Sequence, residues 1–194
     1  VMRCFDIAFS LFLLILLSPV FIVLTITICM SGIKPFYCHE RIGLNGRKFK
    51  CIKFRSMRDE SSLSFADRQF IENEKKEKWK VSNDPRITTI GKFIRKTSMD
   101  EIPQIVNVLI GDMSFIGPRP ITQNELALYG RRSSSYLSIK PGITGLWQVS
   151  GRSNTNYRRR VAIDHFYAKN YSFKMMSFIF FKTIFVVITM NGAE

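Results

Sequence analysis

Ionised side chains are nearly absent from the first 33 residues, where only Arg3 and Asp6 carry charge. The excess of 29 Lys and Arg over 15 Asp and Glu, a net charge of +14, therefore falls entirely after residue 33. C-x-x-C spacing is missing as well. Cys4, Cys29, Cys38 and Cys51 indicate neither a zinc knuckle nor a disulfide framework, and a reducing cytosol is the simpler reading. The consecutive residues Cys38, His39 and Glu40 cannot easily converge on one ion. No A-x-A-like cleavage site accompanies the N-terminal apolar stretch, which is also too long for a cleaved signal peptide. Internal repeats and low-complexity tracts are absent. With 194 residues, 46% of them hydrophobic, the chain suits one compact domain plus a membrane element. The aromatic residues are mostly Phe inside apolar runs, without stacking platforms or base-recognition motifs, which argues against nucleic acid as the partner. An anionic membrane face or phosphorylated substrates then account for the basic body.

Ile7 to Met30 is 24 residues without an ionised side chain, enough to cross a hydrocarbon core of ~30 Å at ~1.5 Å per residue. Ser18 and Pro19 fall in its middle, and no basic cluster precedes it. Charge and periodicity favour a simple span; the proline offers a helix bent at mid-membrane that returns to the side it entered. Residues 34–58 alternate Arg47, Lys48, Lys50, Lys53, Arg55 and Arg58 with Phe49, Ile52 and Phe54, the pattern of a strand or hairpin with one basic, solvated face. Residues 59–82 place Phe65, Phe70, Ile71 and Trp79 at helical spacing and predict a peripheral helix. Phe173 to Met190, apolar apart from Lys174, Lys182 and small polar groups, reads as a core helix or one lying in a membrane interface.

Three constellations are compatible with phosphate chemistry. Ser98 followed by Glu101 predicts a capping box heading the apolar run to Ile110. Asp100 would then sit in a first helical turn, where free N–H groups favour its ionised form, fit for a nucleophile or a Mg²⁺ ligand. Adjacent helical residues diverge by about 100°, so Asp100 and Glu101 are not expected to share one proton; both could also merely complete a cap. Gly117-Pro118-Arg119-Pro120 fixes the backbone around an arginine, which suits phosphate recognition or is simply a stiff loop. The stretch from Lys140 to Arg152 reads on its own as a hairpin.

The run from Arg95 to Gln104, with Asn107-Val108-Leu109, Gly111-Asp112-Met113-Ser114 and Gly117-Pro118-Arg119-Pro120, resembles the bacterial sugar transferase family of small monotopic phosphoglycosyl transferases. The likeness continues in Glu40-Arg41-Ile42-Gly43, Lys53-Phe54-Arg55-Ser56-Met57, Asn83 to Thr88, Pro141 to Gly145 and Gly151-Arg152, and is loosest over 59–82. It implies an α+β monotopic membrane protein: a re-entrant helix over 1–33 broken at Ser18 and Pro19, interfacial amphipathic helices, and a small cytosolic α/β domain over 34–194. It further implies that Asp100 is the nucleophile, taking a sugar phosphate from a UDP-sugar with release of UMP and passing it to undecaprenyl phosphate. Asp100 and Glu101 would hold Mg²⁺, and Arg95, Arg119 and Arg152 would hold phosphate oxygens. The expected setting is the cytoplasmic face of the bacterial inner membrane, with anionic lipid as a partner and room for a homodimer. A galactose or glucose phosphate entering capsule, O-antigen or exopolysaccharide assembly is the expected cargo.

Two departures from the pattern stand out. Met99 replaces a leucine common in the family, and Met176 stands where relatives commonly carry an acidic residue, which implies a missing support at the distal part of the site. Hexose-type relatives often carry further membrane helices ahead of this domain, so a chain starting at Val1 is expected to be a short or trimmed form. The competing readings are a basic membrane-tethered binder and a scaffold without catalysis; the latter would leave Asp100, Arg119 and Arg152 without a task.

Overall fold

The computed structural model describes residues 2–77, 83–151 and 156–189. Its shape begins with a proline. Pro19 has no N–H to give the carbonyl of Ile15, four residues back, and the Ser18 hydroxyl donates to that carbonyl instead at 2.7 Å. Helix α1 (Met2–Leu16) therefore stops, and α2 (Ser18–Met30) leaves at a 62° bend. Among the described residues no single helix is long and apolar enough to cross a membrane, whereas this bent pair passes by length and composition.

Strands β1 (Phe36–Ile42) and β2 (Lys48–Phe54) form the antiparallel hairpin expected from the alternation. The reversal uses Asn45 and Gly46 at positive φ, where a residue lacking Cβ or able to bond locally is favoured. Helix α3 (Phe65–Glu77) is peripheral as predicted, with Ile71 buried; Trp79 lies outside the described residues. Helix α4 (Thr89–Lys96) is capped by Thr88, whose hydroxyl accepts from Gly91 N at 2.9 Å. A 3₁₀ turn, Met99–Glu101, then leads into α5 (Gln104–Ile110), which ends on Gly111 at φ 97°. Helix α5 is stitched to β2 by one side chain: Asn107 accepts from Ile52 N at 2.9 Å and donates to Lys50 O at 2.8 Å.

Strand β3 (Ser114–Ile116), helices α6 (Gln123–Tyr129) and α7 (Ser133–Leu137), and strand β4 (Gly142–Thr144) follow. Over the described residues 140–151 the expected hairpin does not form. Strand β4 instead runs parallel to β3, because Gly117 and Gly142 have no Cβ and their backbones approach too closely for one. Helices α8 (Tyr157–Lys169) and α9 (Phe173–Thr189) complete the chain.

The largest apolar cluster joins Phe49 and Cys51 of β2, Ile105 and Val108 of α5, Phe115 and Ile116 of β3, Tyr167 of α8, and Met176 and Ile179 of α9. Phe9, Leu13, Leu14 and Leu17 of the N-terminal arm pack against it. A second cluster sets Leu24 and Ile28 of α2 against Phe54 and Ile94. Both ionised residues of the arm are bonded to the body. The Arg3 guanidinium donates to the carbonyls of Val108 and Leu109, at 2.5 and 2.6 Å, at the C-terminal end of α5. Buried Asp6 accepts from the Ser114 hydroxyl at 3.1 Å and from Phe115 N at 3.4 Å. On the outward faces, Ile15 of α1, Met30 of α2, and Phe173 and Phe181 of α9 are 69–83% exposed, with further large apolar side chains around them.

Candidate active site

The two adjacent carboxylates are presented by a 3₁₀ turn, and the predicted capping box is absent. Ser98 adopts the left-handed region at φ 58° and its side chain caps nothing. Pro103, without an N–H, cannot continue an α-helical ladder back to Met99, so Ile102 N bonds the Met99 carbonyl in the tighter pattern and α5 starts only at Gln104. The capping box in this part of the chain is at Thr122 and Glu125 of α6.

Asp100 and Glu101 converge on one cation. Lys53 Nζ lies 2.6 Å from Glu101 Oε1 and 3.5 Å from Asp100 Oδ2. Lys53 reaches them because it shares the inward face of β2 with buried Phe49 and Cys51, while Lys48 and Lys50 point to solvent. The basic face of the hairpin is thus split, and its one inward lysine is the functional candidate. Arg119 Nη1 approaches Glu101 Oε1 at 3.9 Å. Burial pushes the Asp100 carboxyl above the ordinary aspartate value, against the pull of Lys53 and Arg95, and the neighbouring Glu101 charge adds to the rise. Glu101 goes the other way: burial raises it, but Lys53, Arg119 and Gln104 together hold it below the ordinary glutamate value. The expected helix-terminus field that would favour ionised Asp100 is therefore replaced by burial acting in the opposite direction.

Beside this pair opens a cleft lined by Arg41, Cys51, Lys53, Glu101, Gln104, Arg119, Pro120, Ile143 and Gln148. The Arg119 loop is as stiff as its prolines predict. Gly117 N donates to Thr144 O at 2.8 Å, the Pro118 carbonyl accepts from Gly142 N at 2.9 Å, and Ile42 N ties the loop to β1 through Ile121 O. Arg41 enters from β1, held by Glu125 Oε2 at 3.1 Å and the Pro120 carbonyl at 3.3 Å. Of the arginines expected to hold phosphate, Arg119 lines the cleft, Arg95 sits one short turn before Asp100 and pulls on its charge, and Arg152 lies outside the described residues. Ser18 and Pro19 are remote in role, forming the helix break. Met176 is buried in the main apolar cluster beside Tyr167 and Ile179, so the acidic group missing there is replaced by packing.

No group of three or more His, Cys, Asp or Glu side chains able to hold a metal occurs among the described residues. The donor set present, two adjacent carboxylates beside cationic side chains, fits Mg²⁺ in its usual manner, with one or two carboxylates and the remaining oxygens from phosphates and water. Sequence reading missed Lys53, Arg41, Gln104 and Gln148. Lys53 and Arg41 lay within stretches that carried the family likeness, but only the strand register shows which face they occupy.

A second ionic cluster lies behind the cleft, away from solvent. Tyr129 donates to Asp164 Oδ2 at 2.7 Å, and Arg160 stands 3.9 Å from Asp164 and 3.7 Å from Glu125. Its guanidinium lies over the rings of Trp147 and Tyr157, 5.0 and 5.3 Å from their centroids. Burial pushes Asp164 up to about 6, against the Tyr129 hydrogen bond and the Arg160 charge.

The paired carboxylates, their shared lysine and the rigid arginine meet at one cleft, a set of charges chemically compatible with anionic groups. The chain belongs to the bacterial sugar transferase family, whose model matches residues 1–190. It is 46% identical to the UDP-galactose-lipid carrier transferase of Erwinia amylovora and 45% identical to the undecaprenyl-phosphate galactose phosphotransferase of Salmonella typhimurium. Each match covers 98% of this chain and 41% of the relative, so the chain spans about two-fifths of those proteins. It is 41% identical to the exopolysaccharide production protein ExoY of Rhizobium meliloti, over 98% of this chain and 87% of that one.

Proposed function

We propose that this chain moves a sugar-1-phosphate, of galactose or glucose, from a UDP-sugar to undecaprenyl phosphate. The observation that carries the reading is the pairing of Asp100 and Glu101 on Lys53 at a cleft with Arg119, in a chain of this family. An Asp100 oxygen attacks the sugar-linked phosphorus, the bond to the bridging oxygen breaks, and UMP leaves with that oxygen. The phosphate oxygen of undecaprenyl phosphate then attacks the same phosphorus and releases the Asp100 carboxylate, so one difficult transfer is divided into two displacements. Lys53 and Arg95 favour the ionised form that attack requires, while burial strips water from the carboxylate. Arg119 and Arg41 take the phosphate oxygens, with Arg152 as a further candidate. Held by Asp100 and Glu101, Mg²⁺ would neutralise diphosphate charge.

The same reading places the reaction at the cytoplasmic face of the inner membrane. The exposed apolar faces of α1, α2 and α9 exceed what single surface residues need and suit burial in lipid. Each arm of the bent pair reaches roughly the midplane, since ~12–15 residues at ~1.5 Å rise span about 20 Å. Arg3 at one end and Ile28 at the other are both fixed to the same body, as a re-entrant helix requires. The test is release of UMP from a panel of UDP-sugars by detergent-solubilised protein with undecaprenyl phosphate. The unaltered chain should release UMP, and Asp100→Asn should cut turnover by about a thousandfold or more at unchanged fold; substantial turnover by Asp100→Asn would sink the covalent step.

A further inference from the structure

The cleft has an aromatic border to which the chemistry above gives no task. Tyr37, His39 and Arg41 alternate onto one face of β1, and their cross-strand partners on β2 are Lys53, Cys51 and Phe49. Arg41, Cys51 and Lys53 line the cleft. Tyr37 thus stands directly opposite the lysine that holds both carboxylates, and His39 opposite a cleft wall residue. The two rings stack, 5.9 Å between centroids at 23° between planes. The Arg55 guanidinium lies 5.8 Å from the Tyr37 ring centre. Even with both neighbours Tyr37 remains 46% exposed. Burial and the Arg41 charge lower the His39 pKa, keeping an uncharged flat ring beside the tyrosine.

We propose that Tyr37 and His39 form a stacking shelf for the base of a pyrimidine nucleotide whose phosphates lie among Arg41, Lys53 and Arg119. The inference rests on the cleft being a nucleotide-sugar site, and it assigns the nucleoside end. Two features favour a base over lipid. The shelf is bordered by Arg55 and Lys53, charged groups that lipid contact would have to desolvate. It also adjoins the phosphate-compatible cations, because Tyr37 is the cross-strand partner of Lys53 and His39 stands two positions from Arg41 on the same face of β1. Sequence reading found no stacking platform, since two aromatic residues two positions apart become one only when a strand turns them to the same face.

The experiment is calorimetric titration of the full chain in lipid nanodiscs with UDP and, separately, with inorganic pyrophosphate. Tyr37→Ala should weaken UDP binding about tenfold and leave pyrophosphate binding unchanged, while Tyr37→Phe keeps both. Unchanged UDP affinity in Tyr37→Ala overturns the shelf, and is the result expected if the ring serves the sugar or the lipid. Equal loss of UDP and pyrophosphate also overturns it, marking a structural role. A parent chain that releases UMP while Tyr37→Ala binds UDP normally removes the shelf alone. A parent that binds neither probe removes the nucleotide reading of the cleft and the shelf with it.

Discussion

Asp100 and Asp164 are both aspartates raised by burial and both stand near a basic side chain, yet they occupy opposite kinds of place. Asp100 keeps 16% of its side chain exposed at the edge of a cleft, and the lysine beside it is shared with a second carboxylate. Asp164 keeps 2%, and its neighbours are a tyrosine hydroxyl and an arginine covered by aromatic rings. A perturbed carboxylate alone therefore does not mark a reactive one. Access to a cleft and a cation shared between two carboxylates distinguish the candidate site; near-complete burial, with Arg160 Nε and Nη2 left without hydrogen-bond partners, distinguishes the other cluster.

Deleting the buried aspartate separates the two places most clearly. Asp164→Ala leaves the buried Tyr129 hydroxyl without its acceptor and Arg160 with Glu125 as its remaining anionic neighbour, and unfolding free energy should fall by about 3–5 kcal/mol in chemical denaturation. Turnover per folded molecule should change little. A turnover loss like that of Asp100→Asn, at full folded fraction, would place Asp164 in the site after all.

The two aspartates also separate by pH. Because Asp164 is raised from 3.8 to about 6 in the folded chain, the folded state binds its proton more tightly than the unfolded one. Its contribution to stability is present below about pH 4 and is lost as pH rises through about 6, a change of about 3 kcal/mol at most. Unfolding curves at intervals from pH 4 to 7 should show this decline in the parent and its absence in Asp164→Ala; equal slopes in both would refute the assignment.

A smaller effect is expected from Lys53→Met, which removes the cation between Asp100 and Glu101. Asp100 should then hold its proton to higher pH, with turnover down about tenfold to a hundredfold and the acid limb of the kcat profile displaced to higher pH. A lower kcat with an unmoved limb would show that Lys53 acts through something other than the Asp100 charge.

Much of this arrangement was legible locally. The break at Ser18 and Pro19, the hairpin after residue 34 and the stiff Arg119 loop each follow from residues within a few positions of one another. What escaped depends on register or on distant pairing. Lys53 looked like its neighbours Lys48 and Lys50 until the strand put it on the inward face. The parallel β3 and β4 pairing joins residues 28 positions apart, as in Ser114 with Gly142, and such partners leave no local periodicity. The Ser98 to Glu101 spacing imitates a capping box, but Pro103, two residues later, denies the turn the α-helical ladder that such a box would start.

The bonds of Arg3 and Asp6 carry a consequence for how the molecule holds together. With Phe9, Leu13 and Leu17 packed against the main cluster and Leu24 and Ile28 inside the second, the N-terminal hairpin is part of the cooperative folding unit. Cutting it away would strip one wall from α5 and leave carbonyls of Val108 and Leu109 without their guanidinium. In the proposed membrane setting, lipid thickness and headgroup charge then act on the same equilibrium that orders α5, whose first turn follows the carboxylate pair. The bilayer becomes a thermodynamic component of the active site, and a detergent that shields the hairpin poorly should lower activity and melting temperature together.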